Sequence, residues 1–213
     1  MRTGDLITML ATGAGPVQTN VASGRYTTAL VLGASGAFVL MVVLLGLRTD
    51  LEQAIYLPKF WVKFGFVAAV AVASLLLALR LSRPGIPLGT APTGVGAPVL
   101  AMWILGAFTL LNADPAQRSA LFLGDTWATC PLLIALLSAP VFAAVIWAIK
   151  SLAPTRLRLA GGAAGLLSGA IGALVYCLHC PEMEAPFLGF WYTLGMLIPA
   201  AVGAMSGRLL LRW

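Results

Sequence analysis

Charge is what this sequence has least of. Only 9% of its 213 residues are Asp, Glu, Lys or Arg, against about 25% in an ordinary soluble domain. Together with 60% hydrophobic residues and a mean hydropathy of +0.96, that deficit excludes a soluble globular domain. No Asp, Glu or His lies deep inside an apolar run, and Lys63 is the one charge within a run rather than at its end. Ion and proton relays in membranes need such groups. A proton-driven pump, a secondary transporter and an intramembrane protease are therefore disfavoured. There is no GxxxxGK[ST], no HExxH and no GxSxG, the patterns of phosphate cradles, zinc proteases and nucleophile elbows. Nothing calls for an enzymatic reading or for a cofactor. The first 25 residues hold no uninterrupted apolar core, so no cleavable signal peptide is expected there.

What the chain does have is long apolar runs. Crossing a bilayer core of about 30 Å takes roughly 20 apolar residues in a helix. Six runs qualify: Tyr26–Leu47, Phe60–Leu79, Val95–Leu111, Trp127–Ile149, Leu159–Leu178 and Phe187–Leu211. Val95–Leu111 is the shortest and needs Pro92–Gly94 or Asn112 to lengthen it. The runs are continuous rather than alternating, which favours helices over barrel strands. The expected fold is an all-α membrane protein, a bundle of six transmembrane helices over residues 26–213. Residues 1–25 form a tail before it, and the short loops leave no room for an extramembrane catalytic domain.

The few charges divide by side. If the N-terminus is cytoplasmic, that side carries Arg2, Arg25, Arg80, Arg83, Lys150, Arg156, Arg158, Arg208 and Arg212, while Arg48, Lys59, Lys63 and Arg118 fall on the other. Excess Lys and Arg mark the cytoplasmic face, so both termini are expected inside. Asp50, Glu52, Asp114, Asp125, Glu182 and Glu184 fall outside and only Asp5 inside. The isoelectric point of about 9.7 then describes a rim facing anionic membrane lipids and requires no nucleic acid. Lys63, one turn from Lys59 near the outer end of the second helix, is expected to snorkel outward.

In the tail, TGDLITMLA suggests a short amphipathic helix. Thr3 can cap it, Asp5 sits in its first turn, and Leu6, Met9 and Leu10 fall on one stripe. Such a stripe suits a membrane surface or a partner's groove. Within the bundle, Gly161, Gly165 and Gly169 recur every fourth residue, with Ser168 and Gly172 adjoining, and Gly203 and Gly207 repeat the interval. Small residues at this spacing let helices approach closely, either within the chain or across a homodimer. Pro98, Pro140 and Pro199 lie inside the third, fourth and sixth helices and are expected to kink them.

YCLHCPEMEAPF, residues 176–187, concentrates the reactive groups. All three cysteines, Cys130, Cys177 and Cys180, fall near the external face, where disulfides persist. The order CLHC is not the CxxCH of haem attachment, and zinc wants four ligands. A metal site from Cys130, Cys180, His179 and Glu182 is one reading. A Cys130–Cys180 disulfide tying the fourth helix to the last loop is another, and small half-buried thiols without a task are a third. Read from residues alone, a small-molecule transporter or exporter and a scaffold packing through the glycine stripes also stay open as functions.

The run LHCPEMEAPFLGFWYTLGMLIPAAVGAMSGRLLLRW resembles the C-terminal signature of the NrsF-type proteins. The likeness continues with MRTGDLITMLA, LGLRTDL, FWVK, RPG with PLG, and WATCPLLIALLSAP, and spans nearly the whole chain. The resemblance implies a six-helix bacterial inner-membrane anti-sigma factor. It would hold an extracytoplasmic-function sigma factor inactive and release it under heavy-metal or oxidative stress. In that family two periplasmic cysteines, in WxxC and HCPE elements, are implicated in sensing, and they match Cys130 and Cys180 here. These two would be thiolate ligands of a transiently bound metal or the partners of a disulfide. Cys177 has no counterpart, and with His179 and Glu182 it is left as an accessory candidate. For sigma contact the tail residues Asp5, Leu6, Met9 and Leu10 are the first candidates, with the basic loops at Arg80, Arg83, Arg156 and Arg158 as further ones.

Overall fold

The computed structural model describes residues 3–12, 21–83 and 85–212. Every regular element among them is a helix: α1 (Thr3–Thr12), α2 (Val21–Leu44), α3 (Leu51–Ile55), α4 (Pro58–Leu81), α5 (Ala91–Asn112), α6 (Pro115–Leu123), α7 (Cys130–Lys150), α8 (Leu157–Tyr176), α9 (Ala185–Phe187) and α10 (Thr193–Leu210). A π-helical turn, Leu188–Tyr192, joins α9 to α10. Six helical stretches of 20 to 26 residues are apolar enough to cross a membrane, so each spans about 30 Å or more at 1.5 Å per residue. They correspond to the six runs in the sequence, and α5 takes in both Pro92–Gly94 and Asn112.

Proline sets where the spans begin. Pro58, Pro92, Pro131 and Pro186 each stand in the first turn of their helix, where the missing N–H has no helical partner to lose. This is why the fourth span starts at Cys130 and not at Trp127, whose stretch forms turns instead. The prolines inside α5, α7 and α10 leave those helices unbroken. At the far end of α2, Gly46 adopts φ +76° and its N–H reaches back to the Met41 carbonyl, a left-handed stop that glycine adopts at little cost.

Helix α8 is the hub, packed against α10, α7 and α4. Its glycine stripe explains the tight pairing with α10. A Cβ on Gly161 would collide with the Gly203 carbonyl, one on Gly165 with the Pro199 carbonyl, and one on Gly169 would lie 2.8 Å from Met196 Cα. The Gly203 and Gly207 stripe is consumed from the other side, against Gly161 and the Leu157 carbonyl. The glycines therefore hold α8 to α10 inside one chain, which corrects the homodimer alternative for these faces. With no hydrophobic force between helices in lipid, close backbone approach is what gains contact.

The core divides lengthwise. One cluster gathers Cys130, Ile134, Tyr176, Cys177, Cys180, Phe187 and Tyr192 with Met41 and Phe66. A second, at the opposite end, holds Tyr26, Leu81, Val145, Ile149, Ala160 and Leu211, where the Tyr26 hydroxyl and Ser82 Oγ share a 2.8 Å hydrogen bond. Helix α5 adds only Met102 to this core and lies against α4 and the start of the last span, fastened by Trp103 Nε1 donating to the Gly189 carbonyl at 2.7 Å. The last span is thus not the single α-helix expected over Phe187–Leu211. Its π turn is followed directly by Thr193, and Tyr192 is swung into the cysteine cluster.

Helix α1 is exposed along its length. Thr3 is itself helical, so it lies in the helix instead of capping it. The first span is already helical ahead of Tyr26, at Val21, and residues 1, 2 and 13–20 of the expected tail, Arg2 among them, lie outside the described residues.

Candidate functional site

Three connections meet at one end of the bundle: residues 45–57, 113–129 and 177–184. Helix α8 overruns its last residue in a tight coil, in which the N–H groups of His179 and Cys180 both bond the Tyr176 carbonyl at 3.0 Å. Pro181 then stops the chain, since it has no N–H to continue with. This folds Cys180 back under the helix end. Cys130 arrives from the other direction as the first residue of α7, its N–H held by the Thr126 carbonyl at 2.9 Å. All three cysteines carry free thiols and all three are completely buried.

Around the thiols most polar groups have partners. Lys63 is fully buried, and its Nζ donates to the carbonyls of Cys180 at 2.8 Å and Glu182 at 2.9 Å. The same ammonium sits 5.0 Å over the Tyr192 ring. The expectation that Lys63 snorkels outward is therefore corrected: it reaches toward the end of the bundle but finds its partners inside, in the backbone of the HCPE turn. Two carbonyls and an aromatic face replace the water it gives up. Tyr192 in turn stacks near Tyr176 with centroids 5.9 Å apart, and sends its hydroxyl toward Cys177 and Cys180 without closing a hydrogen bond of good geometry.

His179 and Glu182 turn away from the thiols. His179 Nδ1 lies 2.9 Å from the Gly46 carbonyl, which fixes the N–H at that nitrogen. Glu182 Oε1 accepts the Asp125 N–H at 2.9 Å. Beside it Gly124 has φ +55°, which favours glycine, and a Cβ there would lie 2.7 Å from Glu182 Cδ and push the carboxylate aside. Among the described residues no group of three or more His, Cys, Asp or Glu side chains could hold a metal ion. The four-ligand set of Cys130, Cys180, His179 and Glu182 is not assembled; two thiols face one another and the other two residues pin loops.

The thiols are tuned apart. Cys180 is pulled down to about 5, first by the Cys130 thiol beside it, which favours the thiolate, and also by the Lys63 charge, against the cost of burial. Burial pushes Cys177 the other way, up to about 11, with Lys63 offsetting only part of it. A thiolate binds soft metals and is the species oxidants attack, and of these two it is Cys180, beside Cys130, whose surroundings favour that form. Arg48 frames the site from α2's side: its N–H bonds the Leu178 carbonyl at 3.2 Å and its guanidinium pairs with Asp50 at 2.6 Å. That pairing holds Asp50 below the usual carboxylate range.

Sequence reasoning found the three cysteines but missed Lys63 and Tyr192. The signal for Lys63 was present, because a lone charge inside an apolar run marks a functional place by default. Tyr192 left none, since its aim depends on the π turn. The other candidates, Asp5, Leu6, Met9 and Leu10, lie on the exposed helix α1, away from this site in the chain.

A family model described as negative regulator of sigma F matches residues 10–213. Among curated proteins, the probable anti-sigma-F factor NrsF of Azospira oryzae is 61% identical over 213 residues, covering the whole of both chains. The anti-sigma-F factor NrsF of Caulobacter vibrioides is 42% identical over 219 residues, again with both chains fully covered. No solved structure matches the chain.

Proposed function

The chain belongs to the family of negative regulators of sigma F, and on that ground we propose that it is a multi-pass membrane anti-sigma factor. It sequesters an extracytoplasmic-function sigma factor at the bacterial inner membrane and releases it when the cysteine end meets a heavy metal or an oxidant. The observation that carries this reading is full-length similarity, at 61% and 42% identity, to two proteins named as anti-sigma-F factors.

Orientation follows from charge. The end bearing Arg80, Arg83, Lys150, Arg156, Arg158, Arg208 and Arg212 faces the cytoplasm by the positive-inside bias, which puts the thiols in the periplasm. The sigma factor is then met by α1, whose Leu6, Met9 and Leu10 stand exposed with Asp5 at its start. A helix of ten residues is too short to be stable alone and gains order by lying in a groove.

The switch is the Cys130–Cys180 pair. A soft divalent cation is taken by the Cys180 thiolate and by Cys130 as it gives up its proton. A peroxide is attacked by the Cys180 thiolate, giving a sulfenic acid and hydroxide; the Cys130 thiol then displaces water to leave the disulfide. Either event removes the negative charge that Lys63 faces, in a cluster where α4, α7, α8 and α10 meet. Their repacking carries the signal to the other end.

The test is co-purification of a sigma factor with the detergent-solubilised protein, and deletion of residues 1–24. Sigma-dependent transcription should rise without α1. Cys130→Ser and Cys180→Ser should each abolish the response to cadmium or peroxide while Cys177→Ser leaves it. No co-purifying sigma factor, or a normal response in the Cys130→Ser/Cys180→Ser double variant, overturns the reading.

A further inference from the structure

The end opposite the cysteines carries three contiguous concavities. A polar cleft of about 330 Å³ is lined by Arg80, Arg83 and Arg156, with Leu81 and Ile86 also in its lining. Beside it a second polar cleft, about 380 Å³, is lined by Arg156, Arg158 and Arg208. The two share Thr155 and Arg156. Beneath them an almost wholly apolar groove of about 310 Å³ runs between α4, α8 and α10, past Leu77, Leu81, Leu159, Leu166, Gly162 and Ala204. It shares Leu81 with the first cleft and Arg158 and Leu159 with the second.

None of Arg83, Arg156, Arg158 and Arg208 pairs with a carboxylate among the described residues, whose ion pairs, Arg48–Asp50 and Lys59–Glu184, lie at the cysteine end. Arg80 alone is engaged, Nη1 donating to the Leu88 carbonyl at 2.6 Å. The chemistry therefore changes with depth. Unpaired guanidiniums stand at the level where the spans end, at Leu81 and Leu157, and bare aliphatic surface continues below them along the spans.

We propose that this is a binding site for one anionic phospholipid, its phosphate diester held by Arg156 and Arg158 and one acyl chain laid in the groove. Guanidinium groups fit phosphate oxygens in pairs, and basic clefts between transmembrane helices suit anionic headgroups. A free phosphate would fill a cleft and leave the groove bare. An acidic protein segment would likewise meet the arginines but has no use for a groove sunk within the membrane spans. Only a molecule with both parts accounts for the shared lining. Because the lipid would bridge α4 and the loop after it to α8 and α10, the site joins the elements on which the cysteine cluster is built.

The experiment is native mass spectrometry of the intact protein taken from nanodiscs holding equal parts phosphatidylglycerol and phosphatidylcholine with matched chains. The wild type should keep one phosphatidylglycerol and no phosphatidylcholine. R156Q/R158Q should keep it roughly 30-fold less well, about fivefold for each basic residue near the membrane surface. Arg25→Gln should behave as wild type, since Arg25 lies over the Trp147 ring, 6.0 Å from its centroid, and outside the clefts. Should R156Q/R158Q melt early, R83Q and R208Q at the two rims carry the test at about fivefold each. Equal retention of both lipids, undiminished retention in these variants, or displacement by millimolar inorganic phosphate or poly-glutamate would overturn the site, the last two assigning it to a free anion or an acidic protein.

Discussion

At the cysteine end each basic side chain has a partner: Arg48 holds Asp50, Lys59 holds Glu184, Lys63 holds two carbonyls, and Arg118 donates to the Ala113 carbonyl at 3.1 Å. At the other end Arg83, Arg156, Arg158 and Arg208 have no carboxylate among the described residues to hold. Six of the seven acidic residues of the chain, all but Asp5, lie at the first end. The contrast separates two jobs that charge does in one membrane protein. Partnered charge closes the cysteine end around buried thiols and fixes their ionisation. Unpartnered charge leaves the arginine end open, with its donors available to whatever negative group comes near.

The sharpest way to break this contrast is to remove Lys63. Lys63→Met keeps the length but strands the Cys180 and Glu182 carbonyls, at a cost of roughly 2–4 kcal/mol. The melting temperature in detergent should fall, and amide exchange should speed up at 178–184 while the arginine end is unchanged. A variant as stable as wild type, with the same exchange pattern, would remove Lys63 from the account of the cysteine end.

Next in size is the pH profile of the thiols. With Cys180 held near 5, its thiolate absorbance should be flat from about pH 6.5 to 8 and disappear as pH falls through 5. Cys177, near 11, should ionise only in strongly alkaline solution. Cys130→Ala should shift the Cys180 transition upward, toward the ordinary thiol value near 8.5, because the donor that most favours its thiolate is gone. Cys177→Ser should leave it in place. An unmoved Cys180 transition in Cys130→Ala counts against the paired-thiol assignment.

Gly124→Ala tests how the loops are locked. It forces a side chain into φ +55° against Glu182, for roughly 1–3 kcal/mol, read as a lower melting temperature. Glu182→Ala in the same background should recover the steric part only. The smallest effects should come from exposed charges. Lys59→Gln breaks a pair whose lysine is 63% exposed and should cost below about 0.5 kcal/mol. Arg83→Gln should cost no more, so a large loss of stability from either would blur the distinction between the ends.

Much of this architecture was legible in the residues. Bilayer thickness sets a helix length, so six apolar runs sufficed to predict six spans, and α5 needed only the extension that its flanking residues supplied. Prolines in four first turns mark where helices start because they lack an N–H the helix does not use there. The cysteines, too, could be assigned to one end by counting spans, and the family could be named from motifs spread along the chain.

Sequence determined those features because each depends on neighbouring residues or on summed composition. Tertiary structure alone decided where Lys63 points, since its partners at Cys180 and Glu182 stand 117 and 119 residues away. It likewise decided that Gly161, Gly165 and Gly169 of α8 serve α10 rather than a second chain. And it decided that two cysteines three positions apart, equally buried, differ in ionisation: Cys180 folds back against Cys130 with Lys63 bonded to its carbonyl, while burial governs Cys177. Long-range juxtaposition sets the local field, and no spacing along the chain encodes it.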